Sequence, residues 1–118
     1  MSKPTWHRLF QKWADRLLRE TRWRWKTLPD PNMDKDDVAT VTYKPEYRTA
    51  TFHYRPGTEP DNATALHEVV HLLLGRVWAF GEKVLAEDKT GRDWFEAVTE
   101  ESVEEIANVI LRAYDEKP

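Results

Sequence analysis

The segment Ala65-Leu66-His67-Glu68-Val69-Val70-His71-Leu72-Leu73-Leu74 constrains this chain more than any other. Seven of its ten residues are apolar, so a helix built from it has to be buried. His67, Glu68 and His71 then stand among apolar neighbours, where unpartnered polar groups are costly. Whatever the fold is, it must bring polar partners to these three. Asn62 or Thr64 can cap the helix, which runs on through Gly75-Arg76-Val77-Trp78. Its apolar run is too short to cross a bilayer.

The other segments supply elements to pack against it. From Thr5 to about Glu20, Trp6, Leu9, Phe10, Trp13 and Leu17 recur at helical spacing, with Arg8, Lys12, Arg16 and Arg19 on the wet side. Thr21 to Leu28 alternates Trp23 and Trp25 with Arg22, Arg24 and Lys26, the period of a strand. Pro29-Asp30-Pro31-Asn32 ends it. Val38–Tyr43 and Tyr47–Tyr54 read as two further strands, joined by a hairpin at Lys44-Pro45-Glu46. In the second of them Ala50, Phe52 and Tyr54 share one face, and Thr49, Thr51 and His53 the other. Ala79 to Phe95 contains Gly81 and Gly91; its first half reads as a helix continuation and its second half as loop. Thr99 to Tyr114 is helical, with Val103, Ile106, Ala107, Ile110 and Tyr114 along one face. The order α, β, β, β, α, α predicts an α+β fold: an N-terminal helix, a three-stranded sheet, the His-Glu helix and a C-terminal helix rich in glutamate.

With 118 residues, 40% hydrophobic and 33% charged, the chain is expected to be one globular domain, residues 1–118. The N-terminus Met1-Ser2-Lys3-Pro4-Thr5-Trp6-His7-Arg8-Leu9-Phe10 lacks the apolar core of a secretory signal, so a cytoplasmic location is expected, with no membrane partner. The net charge of −3 argues against an obligate nucleic-acid binder. Charge is nonetheless uneven. Residues 1–28 hold eight Lys or Arg against two acids, while residues 82–118 hold five against eleven. The chain has six tryptophans, a high count that fits a core stabilised with few residues.

His67-Glu68-Val69-Val70-His71 is the feature that names a chemistry. Histidines at i and i+4 share one helix face and can bind one zinc ion from the same side. Glu68 is then placed to take a proton from a water on that metal. A chain of this composition would contain such a motif by chance in roughly one case in a hundred. With no cysteine, any ligand must be His, Asp or Glu. A catalytic zinc site keeps three protein ligands and one open position. No histidine follows His71; His7 and His53 lie upstream. Leu74 and Val77 stand where the metzincin pattern needs glycine and histidine, which excludes that class. The last helix offers Glu100, Glu101, Glu104 and Glu105. With Val103 at the centre of the apolar face, Glu100 lies about 60° off, Glu104 about 100°, and Glu101 and Glu105 beyond about 150°. Glu100 is the better third ligand by facing, with Glu104 the alternative; Glu96, one turn earlier, is a more distant choice.

With these residues the chain resembles the gluzincins, whose zinc is held by the two motif histidines and a glutamate on a following helix. It is most similar to the minimal members, the minigluzincins and the ImmA/IrrE-type peptidases of phages and mobile elements. Their glutamate-helix pattern reads here as Glu100-x-x-Val103-x-x-Ile106-Ala107, with Glu104-x-x-Ala107-Asn108 as a competing register. About forty residues, His67 to Asn108, carry the resemblance. It implies a small zincin-like metallopeptidase domain with zinc as cofactor. It also implies that the strand before the active-site helix, Tyr47–Tyr54, is an edge strand that receives a peptide or protein substrate as an added strand. His53 or Tyr54 near its end would polarise the scissile carbonyl. Glu104 or Asn108 would support a ligand histidine.

Two other readings stand beside the peptidase. One is a zinc-bearing regulatory or interaction module without catalysis. The other is a DNA-associated protease, as in SprT-like enzymes, using the basic, Trp-rich N-terminal region. Against the latter, Trp6 and Trp13 fit a core stripe, and the basic residues fit a solvated face or a pairing with the acidic C-terminal helix.

Overall fold

The computed structural model describes residues 4–118; Lys3 of the basic N-terminal segment lies outside them. Helix α1 (Trp6–Leu17) starts at Thr5, whose hydroxyl accepts the Arg8 amide at 3.2 Å and satisfies a free N–H of the first turn. The expected stripe is buried at Trp6, Leu9, Phe10 and Trp13. Ala14 and Leu18 complete it, and Leu17 sits only at its margin. The helix ends at Leu17 rather than Glu20, and Arg22 (φ 64°) turns the chain into the sheet.

Strands β1 (Arg24–Pro29), β2 (Ala39–Lys44) and β3 (Thr49–Tyr54) form one mixed sheet in the order β1-β3-β2. The hairpin is present, and Arg48 (φ 52°) closes its turn. Strand β1 pairs parallel with β3 on the side away from β2. This corrects the expectation for Tyr47–Tyr54: β3 is the central strand, and the edges are β1 and β2. Both flanks of β3 are taken up by ladder hydrogen bonds, so it cannot accept an added strand.

Ala50 and Phe52 of β3 face the helices and are buried. Phe52 stacks on Phe10 with centroids 4.6 Å apart, and Trp25 meets it edge-on at 5.5 Å. Indole N–H groups at this core have acceptors: Trp13 donates to Asn62 Oδ1 and Trp6 to Thr58 Oγ1, each at 3.1 Å. These contacts account for much of the tryptophan count. Trp23 and Trp25 also pack against the core, so the N-terminal region offers no free stacking platform from them.

Helix α2 (Asn62–Leu73) is capped by Asp61, one residue before the expected Asn62; its carboxylate accepts the Thr64 amide at 2.7 Å. Helix α3 (Gly75–Val84) follows after Leu74. Helix α4 (Lys89–Ala113) starts ten residues before the expected Thr99. Gly91 does not break it, because Asp88 accepts the Gly91 amide at 2.9 Å and makes the glycine part of the capped first turn. Phe80–Phe95 is therefore the end of α3, a short turn and the start of α4, where a helix continuation followed by a loop is expected. Gly81 permits their close approach: a Cβ there would lie 2.1 Å from Phe95 Cζ. Just past α4, Glu116 pairs with Lys12 and Arg16 at 3.3 Å, so part of the basic α1 face meets the acidic C-terminal segment. Among the described residues, no helix is long and apolar enough to cross a membrane.

Candidate metal centre

Burial of Leu66, Val69, Val70 and Leu72 sets the rotation of α2. His67 and His71 fall between these rows, one turn apart, with ring centroids separated by 4.9 Å. On α4, Val103, Ala107 and Leu111 are buried, and α4 packs against α2. Glu100, nearly one turn before Val103, therefore reaches the histidines. His67 Nε2 lies 2.7 Å from Glu100 Oε1, and His71 Nε2 lies 3.0 Å from Oε2. One ligand atom from each of the three lies within 4.8 Å of the others. Two imidazole nitrogens and a carboxylate converging on one point are a donor set that fits zinc.

Glu104 lines a neighbouring groove of about 240 Å³ with Ala63, Thr64, His67, Glu68 and Asn108, but does not join the three-residue cluster. Glu101 and Glu105 are exposed, and Glu96 stands beside Glu82 of α3 instead, where it helps to raise the Glu82 carboxyl. His7 pairs with Thr27 Oγ1 at 3.0 Å, on the α1 side of the sheet. His53 and Tyr54 are also elsewhere. His53 stands on the sheet face opposite Phe52 and pairs with Thr42 Oγ1 at 3.0 Å. Tyr54 stacks on Trp6 of α1 at 6.5 Å. The strand period places His53 on the wrong face, and the central position of β3 turns Tyr54 toward α1.

Electrostatics at the site are strongly perturbed. The Glu68 carboxyl is pushed up to about 8, first by burial, then by the negative charges of Glu100 and Asp37; the Val41 backbone amide, hydrogen-bonded to it, pulls the other way. Glu68 keeps some open surface, but dense surrounding protein carries this shift. Burial and the neighbouring His67 hold His71 below the ordinary histidine range, against the pull of Glu100. Burial would raise Glu100, but His71 and His67 outweigh it and hold the carboxyl low.

Beside His71 and Glu68 lies a cavity of about 230 Å³ lined by Thr40, Val41, Tyr43 and Trp78. None of these four was expected at the site. Trp78 was accessible to sequence reasoning, since it follows His71 by seven residues, two helical turns; their rings are 6.4 Å apart. The β2 residues had no signal, because nothing in a strand's pattern says which edge it occupies. No protein-family model, no curated protein and no solved structure matches this chain.

Proposed function

We propose that this protein is a zinc-dependent peptidase of gluzincin type, with His67, His71 and Glu100 as ligands and Glu68 as the catalytic base. The observation that carries this reading is the convergence of three ligand atoms within 4.8 Å, beside the glutamate that follows His67. Zinc held there would supply Lewis acidity, bringing the pKa of water to about 7. Glu68 takes the proton from the attacking water and passes it to the leaving amine. Beside a dication Glu68 ionises more readily, and ionised is the form a base needs. The substrate peptide lies along the free edge of β2, since β2 and Val41 flank Glu68 while β3 has no free edge.

The experiment is a pair of variants. Purified protein should contain about one zinc per chain by elemental analysis, and His67→Ala should lose it. Glu68→Gln should keep the metal and lose peptide cleavage. Metal-free protein from a chelator-free preparation in zinc-supplemented medium would sink the reading.

A second reading has its own observation. Neither His53 nor Tyr54 is near the cluster to polarise a carbonyl. This favours a zinc-bearing interaction module without catalysis. In that case Glu68→Gln leaves the biological effect of the protein unchanged.

A further inference from the structure

The open face of the sheet is a surface that the metal centre does not use. Helices α1 and α2 cover the face bearing Ala50 and Phe52, so the alternate strand residues stand on the other side. The pairing register sets nine of them in three rows: Lys44, Thr49 and Arg24; Thr42, Thr51 and Lys26; Thr40, His53 and Leu28. Three of the nine are Lys or Arg, four carry hydroxyls, and none is acidic. Arg24, Lys26 and Lys44 are exposed and make no salt bridge among the described residues. A shallow groove of about 460 Å³ runs over the first two rows, lined by Lys26, Lys44, Thr42, Thr49 and Thr51, with Tyr43 and Ala50 of the alternate strand positions also contributing. Five glutamates of the C-terminal region, Glu96, Glu100, Glu101, Glu104 and Glu105, sit on α4, which packs on α2 and α3. Arg24 and Lys26 of the basic N-terminal segment thus join Lys44 on the sheet face, on different elements from the acidic α4.

Cations and hydroxyl donors without a carboxylate select anionic oxygen. Arg24 and Lys26 are two strand residues apart, roughly 6.6 Å, and Arg24 and Lys44 flank β3 at about 10 Å. Positive charge repeated at such intervals suits a chain of phosphates better than a single anion. The rows contain no aromatic residue and only Leu28 as a large apolar one, so the face lacks the anchors that hold protein partners. Its width of about 10 Å suits one backbone rather than two. We propose that this face docks the phosphodiester backbone of single-stranded nucleic acid, without regard to base sequence.

The test is fluorescence anisotropy of a labelled oligothymidylate of about 20 nucleotides, titrated with the full chain in chelator so that the metal reading has no part in the result. Binding should weaken with salt with a log–log slope near −2, as for about three cations on a single strand. The variant Arg24→Glu/Lys26→Glu/Lys44→Glu should lose roughly tenfold or more. Arg76→Glu/Lys83→Glu/Arg112→Glu carries the same charge change on α3 and α4 and should stay within about threefold. Arg24→Lys/Lys26→Arg/Lys44→Arg should retain binding, which separates charge from misfolding. No binding at low salt overturns the proposal, as do equal losses in the two glutamate variants. Competition by polyglutamate as strong as by oligonucleotide would give the face to an acidic protein segment instead. Clearly tighter binding of a duplex would remove the single-strand assignment.

Discussion

Glu68 is the residue whose charge the fold changes most. Its carboxyl moves from 4.5 to about 8, with burial the main cause. Between those values the folded protein holds a proton that the unfolded chain has released. Metal-free protein therefore loses stability as pH rises from about 4.5 to about 8, by on the order of 5 kcal/mol, and no more above that. Urea unfolding in chelator should show this loss as the difference between the parent chain and Glu68→Gln, in which the contribution is absent. At the same scale, Glu100 and Glu104 separate cleanly. Glu100 contacts both histidines, whereas Glu104 only borders the groove next to His67. Glu100→Gln should abolish stoichiometric zinc binding, while Glu104→Gln should change zinc affinity by at most about tenfold in a competition titration. Helical facing places Glu100 nearer than Glu104 to the centre of the apolar stripe, because both sit on a helix whose apolar stripe is unambiguous.

At the scale of elements, periodic helices were legible and punctuation was not. The α1 stripe and the α4 face follow directly from 3.6-residue spacing. Helix α4 starts earlier than its pattern predicts because Gly91 reads as a breaker, although the Asp88 cap draws it into the helix. Gly81 shows the opposite lesson, a glycine required by packing. On propensity alone Gly81→Ala should stabilise α3 by about 1 kcal/mol. Against Phe95, the added methyl has no room. The variant should instead lose about 1–2 kcal/mol, seen as a lower thermal midpoint. Asp61→Ala removes the α2 cap and should cost about 1 kcal/mol in the same assay.

At the scale of the whole molecule, the three candidate ligands join α2 to α4 beside the buried Val103–Ala107–Leu111 row. Zinc at about a hundredfold over its dissociation constant should add about 2.7 kcal/mol of stability, raising the thermal midpoint by roughly 10 °C. His67→Ala should remove this shift. Local patterning specifies the α+β class, the three-stranded sheet, the buried His-Glu helix and the face on which Glu100 lies. Each of these follows from a local period or a cap, which a chain expresses without knowing its neighbours. Long-range packing is what makes β3 central, gives β2 the edge beside Glu68, and sets Arg24, Lys26 and Lys44 on one open face. Strand alternation specifies two faces but not the order of strands, since backbone hydrogen bonds are the same on either side. That order is set by which arrangement lets Trp25, Phe52 and Phe10 pack together, a contact among three separate segments.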